Sequence, residues 1–412
     1  MRKLIRIIFV ILLLGAFIPS NLTASVQMSL GEAASRNAEA WPFAWDSIWN
    51  MPLGADATYV PANIKPADRR GMTADEDILI LEPDAPQIDI LKHDAGWNRD
   101  LIRCDEAIEP TEVLFENVPI PLTFFTDPEY LGVVPNHSAG ILLADGETLI
   151  QTQPFHRCAD GTAVSQFTPP SDNIKTGDGI RGAHGGSGMS SLGGTLRVGE
   201  LVPNGTIRHA LKINLFAHLN LAYAVDDPTP GYRWPAIRAD GYANDVSSSC
   251  VYQGEVAQLQ MGALLALHPN FNITSLNSEP AKILAQAFQD YGAYVVDDTC
   301  WNVYAIATEW GPDGRVIDEF QTVWGFDMET SLLATCTDLE NPECLWAKDM
   351  NTIYTNLHIV DNNTENEIGG PGQRRVPCAP PFEDGSGHWA IGSVCDFAQF
   401  LPIKIYLPLG TN

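Results

Sequence analysis

Positive charge is scarce in this 412-residue chain: 24 Lys and Arg stand against 51 Asp and Glu, for a net charge of −27. A surface of that sign repels phosphate backbones, which argues against nucleic acid as a partner. The signatures of several enzyme classes are also missing. There is no G-x-x-x-x-G-K-[ST] loop for a nucleotide phosphate and no H-E-x-x-H pair for a zincin. No C-x-x-C occurs among the eight cysteines, so neither a zinc ribbon nor a thioredoxin-type site is expected. No G-x-S-x-G elbow is present either, which leaves Ser187 and Ser190 poor candidates for a nucleophile. A peptidase therefore lacks both a nucleophile and a metal motif. The chain has no internal repeat and no regular alternation of strand and helix, so solenoids and doubly wound sheets are set aside.

Long apolar runs are missing too, except at the start. Arg2, Lys3 and Arg6 frame an almost wholly apolar stretch from Leu4 to Ile18, and Leu22-Thr23-Ala24 ends in small residues. This is the pattern of a secretory signal over residues 1–24, cleaved after Ala24. The rival reading, a membrane anchor, needs roughly 20 apolar residues, more than the run supplies. Residues 25–42 read as a flexible segment, and 43–412 as a single domain that is extracellular and free of the membrane after cleavage. An even number of cysteines behind such a signal implies disulfides. Short loops favour Cys336 with Cys344 and Cys378 with Cys395. The other four are then expected as Cys104 with Cys158 and Cys250 with Cys300.

Short strands with hairpin punctuation fill the middle of the chain. Gly140–Leu143 and Thr148–Gln153 flank Asp145-Gly146, and Asp-Gly between apolar runs is a strong hairpin signal. Asp160-Gly161, Asn204-Gly205 and Asp313-Gly314 repeat it, the last between two expected strands, Tyr304–Trp310 and Arg315–Phe320. One helix is clear: Ser278 caps it, Pro280 sits in its first turn, and Ile283, Leu284, Ala287, Phe288 and Tyr291 share a face before Gly292. Val256–Leu267 fits a helix or a buried strand equally. The fold expected is mostly β: an antiparallel β-sandwich of jelly-roll type with long loops and one or two short helices. Residues 330–395 read as a disulfide-stapled extension, and the final PIKIYLPLGTN as a closing strand.

Four stretches carry candidate chemistry. RGAHGGSGMSSLGG, Arg181–Gly194, holds six glycines around His184. A backbone so bare can approach a ligand or another strand closely. His184 and Arg181 are expected on the rim of a cleft, against the plainer reading of a tight connection. In GTIRHALKINLF, alternation places His209, Leu211, Ile213 and Leu215 on one strand face, so His209 is either a base or a satisfied core histidine. In GYRWPAIRADGYAN, Arg233 and Arg238 alternate with Trp234 and Tyr242 around Asp240, a set able to stack on sugars and pair with carboxylates. In QDYGAYVVDDTCW, a strand carrying Tyr294 delivers Asp297 and Asp298 at its end. Neighbouring residues of a strand face opposite ways, so one of the two acids is expected in a cleft, and Glu309 is a spare.

These residues also carry a resemblance. Ile207-Arg208-His209-Ala210-Leu211, Trp234-Pro235-Ala236, Met261-Gly262 with Leu267, and Tyr291-Gly292 leading to Asp297 stand in an order similar to that of a family of secreted bacterial proteins of unassigned function. Asp46–Asn50, D-S-I-W-N, fits the same pattern, and the likeness spans roughly residues 43–310. The chain departs from it at Arg238 and Asp240, where a His is expected. The resemblance imports no chemistry, but it implies that His209 and Asp297 share one neighbourhood.

Export, disulfides, a β-sandwich, ten Trp and eleven Tyr together suggest a glycan-degrading enzyme with a poly- or oligosaccharide as partner. A glycoside hydrolase would use paired carboxylates from Asp297, Asp298 and Asp240. A polysaccharide lyase would use His184 or His209 as base, Tyr242 or Tyr294 as acid, and Arg233 and Arg238 on a uronate. A carbohydrate-binding surface protein would use the aromatics alone. No catalytic metal or cofactor is expected; a structural Ca²⁺ at Asp226-Asp227 or Asp361-Asn362-Asn363 is the one ion considered.

Overall fold

Acidic residues inside a strand organise the centre of the molecule. In a computed structural model, which describes residues 35–68, 71–98, 100–105, 112–126, 135–330, 336–338, 340–389 and 392–395, the stretch Met72–Ile80 (MTADEDILI) forms the strand β2. Its last residues, Ile78, Leu79 and Ile80, are buried, while Asp75 and Asp77 project from one face. Glu76, facing the other way, is held by a two-pronged bond from Arg315, Nε to Oε1 at 2.7 Å and Nη2 to Oε2 at 2.6 Å.

Around β2 the described residues form two sheets. The larger runs in the order β1 (Tyr59–Pro61), β15 (Leu357–Val360), β11 (Leu264–Leu267), β12 (Ala293–Asp298), β10 (Leu211–Leu215), β13 (Tyr304–Gly311), β2, β5 (Ala139–Leu142), β6 (Thr148–Thr152) and β9 (Asp172–Asn173). β14 (Gly314–Arg315) folds back on β13. The smaller sheet is β4 (Glu112–Pro119), β3 (Gln87–Lys92), β8 (Ala163–Ser165) and β7 (His156–Arg157). Ile78, Ile80, Ile141 and Ile150 of the large sheet bury against Ile90, Val118 and Ala163 of the small one, which makes a sandwich at that end. A second, larger core around Trp49, Ile213, Tyr294, Phe288, Trp346 and Tyr354 fills the other end.

The β-rich expectation holds, while the pairing differs from a uniformly antiparallel arrangement. β10 with β12, β13 with β2, β2 with β5, and β3 with β8 are parallel. Parallel neighbours need crossovers, and here long irregular segments supply them, which periodicity does not reveal. The hairpins at Asp145-Gly146, Asp160-Gly161 and Asp313-Gly314 form as expected. Asn204-Gly205 makes a turn with no flanking strands.

Among the described residues four α-helices accompany the sheets: α1 (Ala217–Asn220), α2 (Glu279–Asp290), α3 (Val316–Trp324) and α4 (Pro342–Thr355). α2 matches the expected helix, ending before Gly292 at φ +80°. Ser278 stands at its N-cap, yet its hydroxyl donates to Asp349 of α4 instead of accepting from the helix. Val316–Phe320, expected as strand, is helical because its buried Val316 and Phe320 recur at helical spacing. Val256–Leu267 resolves to an irregular stretch ending in β11. Residues expected as an extension supply α4 and β15, whose Trp346, Ile353, Tyr354 and Ile359 lie in the main core. From Ser35 onward the described residues form one compact unit.

All four expected disulfides are present: Cys104–Cys158, Cys250–Cys300, Cys336–Cys344 and Cys378–Cys395. They suit an oxidising compartment. Among the described residues, no helix is long and apolar enough to cross a membrane. The expected signal, the segment up to residue 34 and the closing strand at 402–412 lie outside the described residues.

Candidate functional site: a buried histidine among aspartates

One face of the large sheet is polar at its centre. Lys212 and Asn214 come from β10, Asp75 and Asp77 from β2, and between these strands β13 presents Ala305 and Ala307, with Glu309 next along the same face in register with Asp77. The small β13 side chains leave room for polar groups from both sides. Asp297 joins this face through a register irregularity. Opposite the single step from Ile213 to Asn214, β12 takes two steps, from Val295 to Asp297. Strict alternation from Tyr294 would put Val296 there; the bulge puts Asp297 beside Asn214 instead.

The glycine-rich stretch lies directly over this face. Lys212, fully buried, donates from Nζ to the carbonyls of Ser190 at 2.9 Å and Ser191 at 3.1 Å, and pairs with Asp77 Oδ2 at 2.7 Å. Ser138 and Thr195 donate to the same Asp77 carboxylate. A Cβ at Gly185 would stand 2.6 Å from Asp297 Oδ2, and one at Gly186 2.7 Å from Asp297 Oδ1. The bareness of this stretch is therefore a packing requirement: its backbone crosses the Asp297 carboxylate at a distance no side chain allows.

His184 is set into the face by that loop and is 2 % exposed. Its Nε2 lies 3.3 Å from Asp75 Oδ2 and 3.8 Å from Asp77 Oδ1, and its Nδ1 lies 3.8 Å from Asp297 Oδ2 with no hydrogen-bond partner. Asn214 donates to Asp75 Oδ2 at 2.6 Å. Asp240, Tyr242 and Tyr252 stand next to Asp297: Tyr252 Oη donates to Asp240 Oδ2 at 2.5 Å, and Tyr242 Oη donates to Asp298 Oδ2 at 3.3 Å.

These surroundings separate the acids. Burial works against ionised Asp75, but the hydrogen bond and charge of His184, with the Asn214 amide, outweigh it and hold the carboxyl at about 2. Burial raises Asp297 well above the carboxylate range, and the nearby charges of Asp240, Asp75 and Asp298 raise it further. Asp240 is also raised by burial, against the pull of Tyr252, Tyr242 and Arg238. Burial lifts Asp298 to about 7, although the amides of Ala217 and Cys300 donate to it and favour its charge. Tyr242 is held protonated by burial and by Asp240, Asp298 and Asp297 around it.

The structure thus gathers His184, Asp297, Asp298, Asp240 and Tyr242. Asp298 is nevertheless committed to the turn it caps, through the amides of Ala217 and Cys300. Arg238 sits at the edge, its guanidinium 5.1 Å over the Phe167 ring. Arg181 is exposed, and its carbonyl accepts from Gln151 at 3.1 Å.

Other expected residues fall elsewhere. His209 precedes β10, whereas Asp297 lies at the far end of the parallel neighbour β12, so the two do not share a neighbourhood. His209 Nε2 meets Glu200 at 3.0 Å and its Nδ1 bonds the Ala210 carbonyl at 2.9 Å: it is a satisfied core histidine. Arg233 is used by Asp361 and the Gln258 carbonyl. Trp234 packs against the main core beside Met261, and Tyr294 is buried edge-on to Trp49. Glu309 is bound by Arg197 and the Val198 amide. At the turns considered for Ca²⁺, Asp227 accepts from Thr229 and Gln260, and Asp361 pairs with Arg233.

Asp75, Asp77, Lys212 and Asn214 are the residues that sequence reading missed. A signal existed: two aspartates two apart inside an otherwise apolar strand, and a Lys between Leu211 and Ile213, both cost too much to bury without partners. Compared with models of known families, with curated proteins and with solved structures, the chain matches none of them.

Proposed function

We propose that this is a secreted glycan-degrading enzyme, a glycoside hydrolase working through the carboxyl groups beneath the glycine loop. The observation that carries the reading is the meeting of Asp75 and Asp297 at His184, with Asp240 close to Asp297, where the site reaches solvent through the partly exposed Asp75. Glycosidic cleavage needs one carboxyl that keeps its proton and another that stays ionised. Asp75 is the ionised partner, and the adjacent pair Asp297 and Asp240 holds the proton. Tyr242 and the exposed Trp301, three residues beyond Asp298, offer ring faces to a sugar.

The same geometry argues against a lyase acting on uronates. Among the carboxyl groups here only Arg238 of the expected arginines is at hand, so an acidic sugar finds little to pair with. Tyr242, buried among acids, holds its proton tightly and is a weak acid for that step.

The test is incubation of the mature protein with neutral and uronate-containing polysaccharides, following reducing ends and absorbance near 235 nm together. New reducing ends without absorbance, lost in Asp75→Asn and Asp240→Asn, support hydrolysis. Rising absorbance would move the reading to elimination. Silence in both channels with glycan binding retained would make the protein a binding module.

A further inference from the structure

We infer that Asp75, His184 and Asp297 form a binding site for a divalent transition cation such as Zn²⁺ or Mn²⁺. The inference goes beyond the acid–base reading and does not require it. One ligand atom from each of the three residues lies within 4.8 Å of the others. One imidazole nitrogen with two carboxylates is a donor set that Zn²⁺ and Mn²⁺ accept readily.

Clustered acids alone say little, and the decisive observation is the histidine. His184 Nδ1 is buried, has no hydrogen-bond partner, and is aimed at Asp297 Oδ2 from 3.8 Å. That gap is too long for a hydrogen bond. A metal about 2.1 Å from each atom in tetrahedral geometry would set them roughly 3.4 Å apart, so a few tenths of an ångström of closure suffices.

Asp77 Oδ1 lies 3.8 Å from the other ring nitrogen, Nε2, an outer carboxylate whose charge favours the proton there and leaves Nδ1 to a cation. Asp77 is itself pinned by Lys212, Ser138 and Thr195, so the ring is braced from behind. Two further buried acceptors in this region also lack partners, Gln153 Oε1 and Asn214 Oδ1. Gln153 comes near Gly185 through its Nε2, and Asn214 holds Asp75 through its Nδ2. A cation would offset the charge of the carboxyl groups gathered at His184.

The experiment is calorimetric titration of the chelator-dialysed mature protein with MnCl₂, ZnCl₂ and CaCl₂ separately, without any glycan. One site per chain for Mn²⁺ or Zn²⁺ is expected, weakened on the order of 100-fold or more in both His184→Gln and Asp297→Asn. Asp226→Asn, on the exposed turn, is expected to leave it unchanged. Variants are compared only if their near-ultraviolet circular dichroism matches the parent. Pulsed electron paramagnetic resonance of the Mn²⁺-loaded parent gives a readout that needs no variant, because a bound imidazole shows as nitrogen coupling. No binding of either transition ion, binding unchanged in the two site variants, or Mn²⁺ without nitrogen coupling would each overturn the inference. Cation binding without glycan cleavage would leave it standing and remove only the hydrolase reading.

Discussion

Replacing Gly186 by Ala tests whether the glycine loop is seated on Asp297. Two costs arise. The residue sits at φ +56°, where an L side chain loses about 1–2 kcal/mol. The added Cβ would also meet Asp297 Oδ1 at 2.7 Å, Met261 Cε at 2.9 Å and Asp297 Cα at 3.2 Å. Met261 can shift, but the Asp297 backbone belongs to β12 and moves only with the strand. Overpacking of this kind adds roughly 1–3 kcal/mol, for a total of about 2–5 kcal/mol. Gly146 supplies the control: its φ is +70°, yet a Cβ there meets nothing within 4 Å. Gly146→Ala should therefore cost only the backbone part, about 1–2 kcal/mol. Guanidinium unfolding with disulfides intact, followed by tryptophan fluorescence, gives both values. Equal losses in the two variants would refute the seating of the loop on the carboxylate, and with it the placement of His184.

Further outcomes follow from the same structure. Lys212→Met leaves Asp77 buried without its cation and should cost about 3–5 kcal/mol by chemical denaturation; adding Asp77→Asn should restore part of that, and a strictly additive double variant would show that the pair does not interact. Burial opposes the charged His209 ring, but Glu200 and the Ala210 carbonyl outweigh it and raise its pKa. The stability this contributes is full below the unfolded value of about 6.5 and fades as pH rises through the folded one. The melting temperature should thus fall from pH 6 to pH 8 more in the parent than in His209→Gln, and identical slopes would count against the pairing. Asp349→Ala removes the acceptor of the Asn277 and Ser278 amides and the Ser278 hydroxyl, which ties α4 to the start of α2. A loss of about 1–3 kcal/mol is expected in the same unfolding assay, and a loss below 0.5 kcal/mol would contradict that role.

What the sequence determined by itself was local or combinatorial. Asp145-Gly146 and Asp313-Gly314 impose their hairpins through backbone preferences of two residues, and α2 follows from its apolar spacing between Pro280 and Gly292. Two of the cysteine pairings, Cys336–Cys344 and Cys378–Cys395, were legible because short loops favour partners close in sequence. His184, Asp297, Asp298 and Asp240 were singled out because a bare loop and an acidic strand end are unusual in composition.

Tertiary structure decided the rest. Parallel neighbours such as β13 and β2 are brought together across more than 200 residues, and no periodicity records who pairs with whom. The bulge opposite Ile213 turns Asp297 toward Asn214, reversing what strict alternation implies. Asp75 and Lys212 looked like an ordinary acid and base until burial gave each a partner. His209 lost its candidacy for the same reason, since Glu200, nine residues away, satisfies it at the opposite end of the strand pair. Local preferences act over a few bonds, whereas desolvation and charge pairing depend on which groups the fold brings within about 4 Å.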